Sequence, residues 1–264
     1  MSAGDDGPSE TRRRVLATVA GGTSAALAGC AGLLDESGTA KSPDQATPAA
    51  PAADRPATGT QTATSPTATE PASGPIASAR VADADAAYPT MGSADADATA
   101  TLFGGWKCPF TRQFVRRALP SIVREYVQPG DVAIRFRAVR FQAGSAHGRD
   151  EPRANRVGQA VWHAAPERFW AYFAVLYERQ PPESERWATT DRLQGFARAA
   201  GIDDTDPLRA AATGDRYQDV WQRTQRRVGE LGITGLPRLR LGGEITAPTL
   251  EPRKTKEQLD RAAR

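Results

Sequence analysis

The most reactive side chain in this sequence sits in the stretch Gly-Gly-Trp-Lys-Cys-Pro-Phe-Thr-Arg-Gln-Phe, residues 104–114. Cys108 follows an apolar run and precedes a segment of helical periodicity. Its sulfur is therefore expected at a helix N-terminus, where unpaired N–H groups and the positive end of the helix dipole favour a thiolate. Lys107 adds a neighbouring cation that favours the same form. Pro109 suits the first helical turn, where its missing N–H costs nothing. Thr111 stands one turn on, and its hydroxyl is expected to donate a hydrogen bond to the sulfur. Together these residues describe an activated nucleophile without an adjacent general base. Other readings of the same residues stay open. Cys108 can be an inert core thiol, since free cysteines are often buried. It can pair with Cys30, the other cysteine, in a disulfide. It can also work with His147 or His163 as a Cys–His hydrolase, although no third, orienting residue is identifiable.

The elements that must position this cysteine are legible around it. Thr99–Phe103 alternates and then turns apolar, as a strand does. After the cysteine, apolar residues from Phe110 to Tyr126 recur on one face of a helix, and Pro120 is expected to kink it. Gln128–Asp131 reads as a turn and 132–139 as a second strand, which makes a β-α-β unit with parallel strands. Helices are expected at Pro152–Ala164, Glu167–Arg179, Thr190–Ala200 and from Asp206 to about Leu231. Residues 232–246 read as a loop, a short strand, a turn at Gly242-Gly243 and another short strand. A last helix closes the chain.

In that order, Phe-Gly-Gly-Trp-Lys-Cys-Pro-Phe-Thr (103–111) resembles the active-site segment of DsbA-like thioredoxin-fold proteins, where Cys-Pro-x-Cys opens the first helix. Gly-Ile-Thr-Gly-Leu-Pro (232–237) resembles the same family's later loop, whose proline is cis. The helical block between them matches that family's insertion. The resemblance covers roughly Tyr88–Arg264. It implies an α/β thioredoxin-like fold with a central mixed sheet and a helical insertion. It further implies that Cys108 is the nucleophile, that Pro237 is the cis-proline, and that Leu236 offers its backbone to an extended substrate. Trp106 and Phe110 join Leu236 and Pro237 as expected substrate-binding residues, with Lys107 and Thr111 assisting the sulfur. The departure is Thr111, where the family carries its second cysteine. An internal disulfide at this site is then ruled out, and a monothiol route remains, in which an external low-molecular-weight or protein thiol resolves the product.

The N-terminus reads as an address. Thr-Arg-Arg-Arg-Val-Leu-Ala (11–17) resembles a twin-arginine export signal, and Leu-Ala-Gly-Cys (27–30) resembles a lipobox that would place a lipid on Cys30. The expected organisation is a signal peptide at 1–29, a lipid-anchored spacer at 30–77 and the folded domain at 78–264. The spacer is Ala, Pro, Thr and Ser with no aromatic residue, too polar to offset its ordering entropy. The expected location is the outer face of the cell membrane. The expected partners are the thiols or disulfides of exported proteins.

Composition excludes several function classes. Lys and Arg total 34 against 31 Asp and Glu, a net charge of +3 in 264 residues, too weak a bias for a nucleic-acid partner. Two cysteines and two histidines are too few for a structural zinc site. No metal, nucleotide or flavin is implied. The run Trp162, Phe169, Trp170, Tyr172, Phe173 and Tyr177 is expected in the core, with part of it available to line a groove. Arg216, Arg223, Arg226 and Arg227 read as a solvated helix face. The leading function is thiol–disulfide exchange through Cys108. The alternatives are a binding module for extended peptides or an envelope partner, and a redox sensor.

Overall fold

The computed structural model describes residues 73–140 and 149–264. Cys30, the Arg-rich leader, the spacer up to residue 72 and His147 lie outside the described residues. Five strands form one sheet: β1 (Thr90–Met91), β2 (Ala98–Gly104), β3 (Val132–Ala138), β4 (Arg238–Leu241) and β5 (Glu244–Thr246). Their spatial order is β1-β3-β2-β4-β5. β2 and β3 run parallel over seven paired positions, from Ala98 opposite Val132 to Gly104 opposite Ala138. The pairs β1–β3, β2–β4 and β4–β5 are antiparallel. The sheet is mixed, with a parallel β-α-β half and a hairpin beyond Pro237. Gly242 and Gly243 turn that hairpin at φ of 57° and 92°, a conformation that glycine adopts without steric cost.

The helix after Cys108 breaks where its proline predicts. α1 (Pro109–Arg117) ends at Ala118, α2 (Leu119–Ile122) carries Pro120 in its first turn, and a π-helical turn (Val123–Val127) follows. Pro120 cannot donate the i→i−4 bond that would continue α1. The insertion consists of α3 (Glu151–Ala164), α4 (Phe169–Glu178), α5 (Thr190–Ala199) and α6 (Asp206–Thr213). The helical stretch expected from Asp206 to about Leu231 holds two helices. α6 stops at the extended Gly214, and α7 (Gln218–Glu230) starts after a turn. α8 (Pro252–Ala262) closes the chain.

The core lies between the sheet and these helices. The aromatic run 162–177 belongs to it: Trp162, Phe169, Trp170, Tyr172, Phe173 and Tyr177 are all buried. This run lines no groove. The structured region also starts before the expected boundary of 78. Ile76 is buried in the main core, and Gly92 N–H donates to Arg80 O at 2.9 Å. β1 is a two-residue strand whose alternation is too short to stand out in a sequence.

Candidate active site

β2 delivers the chain to Gly104 at one end of the sheet, and α1 carries it away from Pro109. Cys108 is the residue between, and it caps α1. Its backbone is extended (φ −71°, ψ 120°), and its sulfur accepts the Thr111 backbone N–H at 3.5 Å. The sulfur therefore meets one of the helix's unpaired donors directly. Cys108 is partly exposed and is a free cysteine, so its thiol is not a core residue.

Thr111 reaches the sulfur by a different atom from the expected one. Its side chain is fully buried, and its hydroxyl accepts the Gly105 N–H at 3.3 Å. The hydroxyl braces the loop, and the backbone N–H serves the sulfur. Lys107 also departs from expectation. It is buried, and its ammonium donates to Asp150 Oδ1 at 2.6 Å and to Glu185 O at 2.7 Å. The cation thus fastens the loop to the insertion before it can act on the thiol. Trp106, expected at the substrate, is 2 % exposed and belongs to the core. Its ring stacks on Tyr177 and meets Phe136 edge-on at 5.1 Å. Trp106 sits in the turn that the Cys108 N–H closes on Gly105 O at 3.1 Å, and its indole packs inward, where Gly158 leaves room for it. A Cβ at Gly158 would lie 2.6 Å from the Trp106 ring.

Further bonds hold the loop in place. Tyr177 Oη–H donates to Gly105 O at 2.9 Å, and Gln180 donates to Trp106 O at 2.7 Å. Asp150, besides pairing with Lys107, accepts the Ala188 N–H at 2.8 Å. The insertion therefore sets the position of the cysteine.

In front of the sulfur lies a groove of about 330 Å³. Cys108, Pro109, Phe110, Leu236, Pro237 and Leu250 are among the residues that line it. The Leu236–Pro237 peptide bond is cis. Phe110 is 53 % exposed and Leu250 70 %, the large apolar side chains left to solvent among the described residues, and both border this groove. Thr249 donates to Phe110 O at 3.2 Å, which ties the segment after β5 to the start of α1. The structure thus brings Cys108, Phe110, Leu236 and Pro237 together and leaves Trp106 out.

Two residues at the site carried no signal in the sequence. Asp150 and Glu151 open α3, 42 and 43 residues beyond Cys108, where acidic residues ordinarily complement a helix dipole. The structure brings Glu151 into the groove wall instead. A Cβ on Gly105 would lie 3.1 Å from both Cys108 Cβ and Glu151 Oε1, so the two side chains flank this glycine. Burial pushes the Glu151 carboxyl up to about 7, against the pull of the Lys107 backbone N–H and the Lys107 and Arg140 charges.

His163 does not join this site. It lies twelve residues along α3 from Glu151, about 18 Å at helical rise, and stacks on Tyr217 at 5.3 Å. In the basic run, Arg216, Arg223 and Arg226 are exposed and Arg227 pairs with Glu230 at 2.8 Å, a solvated face.

A family model described as thioredoxin matches residues 85–261. The chain belongs to the thioredoxin family. Its fold is that of DsbA-like members, with the helical insertion between the parallel strands and the hairpin. Disulfide bond formation protein D of Bacillus subtilis (strain 168) is 32 % identical over 111 residues, which are 42 % of this chain and 48 % of that protein. The chain thus matches about half the length of this relative. The crystal structure of oxidised BdbD from Bacillus subtilis superposes with a TM-score of 0.62 at 22 % identity, covering 71 % of this chain and 98 % of that one. DsbA of Chlamydia trachomatis gives a TM-score of 0.56 at 18 % identity, covering 69 % and 97 %.

Proposed function

We propose that this protein catalyses thiol–disulfide exchange on exported proteins through Cys108 alone. The observation that carries the reading is a partly exposed sulfur, capped by a helix N–H, in an apolar groove that Leu236 and Pro237 also line. The relatives named for disulfide bond formation support the same chemistry. The groove suits an extended segment. Phe110 and Leu250 cover its apolar side chains, and the Leu236 backbone pairs with its main chain. The Cys108 thiolate attacks one sulfur of a substrate disulfide. A mixed disulfide forms, and the other substrate sulfur leaves as a thiolate. With threonine at 111, a second thiol must come from outside. Its thiolate attacks the substrate sulfur of the mixed disulfide and frees Cys108.

In this reading the twin-arginine leader exports the chain, and lipid on Cys30 holds it at the outer membrane face, with residues 31–72 as a spacer. No helix among the described residues is long and apolar enough to cross a membrane. Mass spectrometry of the mature N-terminus tests this part. A diacylated Cys30 is expected, and an unprocessed Met1 in the membrane fraction overturns it.

Trapping tests the main reading. Native envelopes are alkylated under acid quench, and the protein is isolated under non-reducing conditions. Exported proteins disulfide-linked to Cys108 are expected, and they disappear in Cys108→Ser. No adduct, together with peptide binding that Cys108→Ser leaves intact, favours a binding module. The engagement of the Lys107 charge by Asp150 and the apolar groove give that alternative its basis.

A further inference from the structure

With one cysteine at the site, every turnover brings in one thiol and sends out another, and each crosses the groove carrying a proton. We propose that Glu151 carries that proton, taking it from the incoming thiol and giving it to the leaving one. The inference rests on the reading of Cys108 as nucleophile. Three observations support it. Glu151 lines the groove that holds Cys108, and the two side chains flank Gly105, each with an atom 3.1 Å from where a Cβ on that glycine would stand. The residue is buried, so its carboxyl is shielded from bulk water and exchanges protons chiefly with what enters the groove. Burial also holds the carboxyl where acid and base forms are both populated at neutral pH, which is what a proton carrier needs.

The cycle balances. The Cys108 thiolate attacks the substrate disulfide R–S–S–R′, giving Cys108–S–S–R and R′–S⁻. Protonated Glu151 gives its proton to R′–S⁻, which leaves as R′–SH. The carboxylate then takes the proton of an incoming thiol R″–SH. The resulting R″–S⁻ attacks the sulfur of R, releasing R–S–S–R″ and the Cys108 thiolate. Glu151 ends protonated, as it began, and no further oxidant or reductant enters.

The groups around Glu151 suit this role. Lys107, from the β2–α1 loop, gives its backbone N–H to the carboxyl, while its ammonium pairs with Asp150. Arg140, after β3, adds positive charge and Asp150 negative. Tyr177, on α4, is held protonated by burial and by the charges of Cys108 and Glu151. Glu183 and Arg238 face the same groove from beyond α4 and from β4.

The test uses the full chain with Cys108 loaded chemically as its mixed disulfide with glutathione. Resolution is followed by acid quench and intact mass. At pH 7, Glu151→Gln is expected to slow resolution by 2-mercaptoethanol at least about tenfold. It should leave resolution by an aromatic thiol, already ionised at that pH, within about twofold. Equal slowing with both thiols marks a structural role and overturns the proposal, as does no slowing with either. The wild type alone gives an independent measure should the variant fail to fold. Its rate with 2-mercaptoethanol should bend near pH 7 relative to the bare solution reaction, and a profile parallel to the solution reaction counts against Glu151. Because loading is chemical, absence of natural partners in the trapping experiment refutes the proposed function without touching this result.

Discussion

At Cys108 the sulfur keeps one fixed neighbour, the N–H of Thr111, and the Thr111 hydroxyl is turned away into the loop. A cysteine at 111 would place a second sulfur one turn beyond the first, at a backbone already 3.5 Å from it. Thr111→Cys is therefore expected to form an internal disulfide under air. Intact mass would show the loss of two hydrogens, and iodoacetamide would label neither sulfur until reduction. Once reduced, the variant should also resolve its own mixed disulfide, the introduced thiol attacking Cys108 Sγ and releasing the substrate thiolate, for a single round that leaves the internal disulfide and needs no added thiol. Glu151 makes a separate prediction for stability. The folded chain holds its proton up to about pH 7, whereas an unfolded chain releases it near the ordinary 4.5. The native state binds more protons within this window, so stability falls as pH rises through it, by up to about 3 kcal/mol. Denaturant unfolding at pH 5 and pH 8 should show that loss in the wild type, and Glu151→Gln should flatten it.

The elements that fix the cysteine come from two distant parts of the chain. Residues 104–108 form the loop, and α3, α4 and the segment after α4 clamp it through Asp150, Tyr177, Gln180 and Glu185. Lys107→Met leaves the Asp150 carboxylate buried without its ammonium, and a loss of about 3–5 kcal/mol in unfolding free energy is expected. Gly158→Ala should cost about 1–3 kcal/mol, because the new methyl meets the Trp106 ring in a packed core. Slower Cys108 alkylation should accompany it, since the displaced indole moves the loop. Most of this frame was legible beforehand. Period-two and period-3.6 patterns marked β2, β3, α1 and the insertion, and Pro120 marked the break in α1. What stayed hidden was contact between elements. The spacing of Trp106 from Cys108 fits a groove residue as well as a core residue, and only the helices packed on the loop decide between them. Nothing local distinguishes Glu151 from a helix-capping acid, because its partner is 43 residues away. The break after α6 comes at Gly214, whose extended backbone ends the helix although apolar residues recur on both sides of it.

At the scale of the whole molecule, the N-terminal edge of the domain is part of its core. Ile76 is buried, Val81 bridges Met91, and Arg80 O accepts the Gly92 N–H. A chain starting at Ala82 loses all three, and its stability should fall by about 2–3 kcal/mol relative to one starting at Thr62. Leu250, on the segment after β5, borders the same groove as Cys108. Leu250→Asp should weaken capture of an apolar cysteine peptide several-fold, measured by mixed-disulfide yield, while leaving reaction with a small disulfide unchanged. The sheet itself bears on how safely such a protein handles partly folded clients. Its two outermost strands, β1 and β5, are two and three residues long. A loose polypeptide drawn to the sulfur finds almost no open rungs along either margin on which to zip up. A visitor can be gripped at the cleft and still let go, without seeding a fibre.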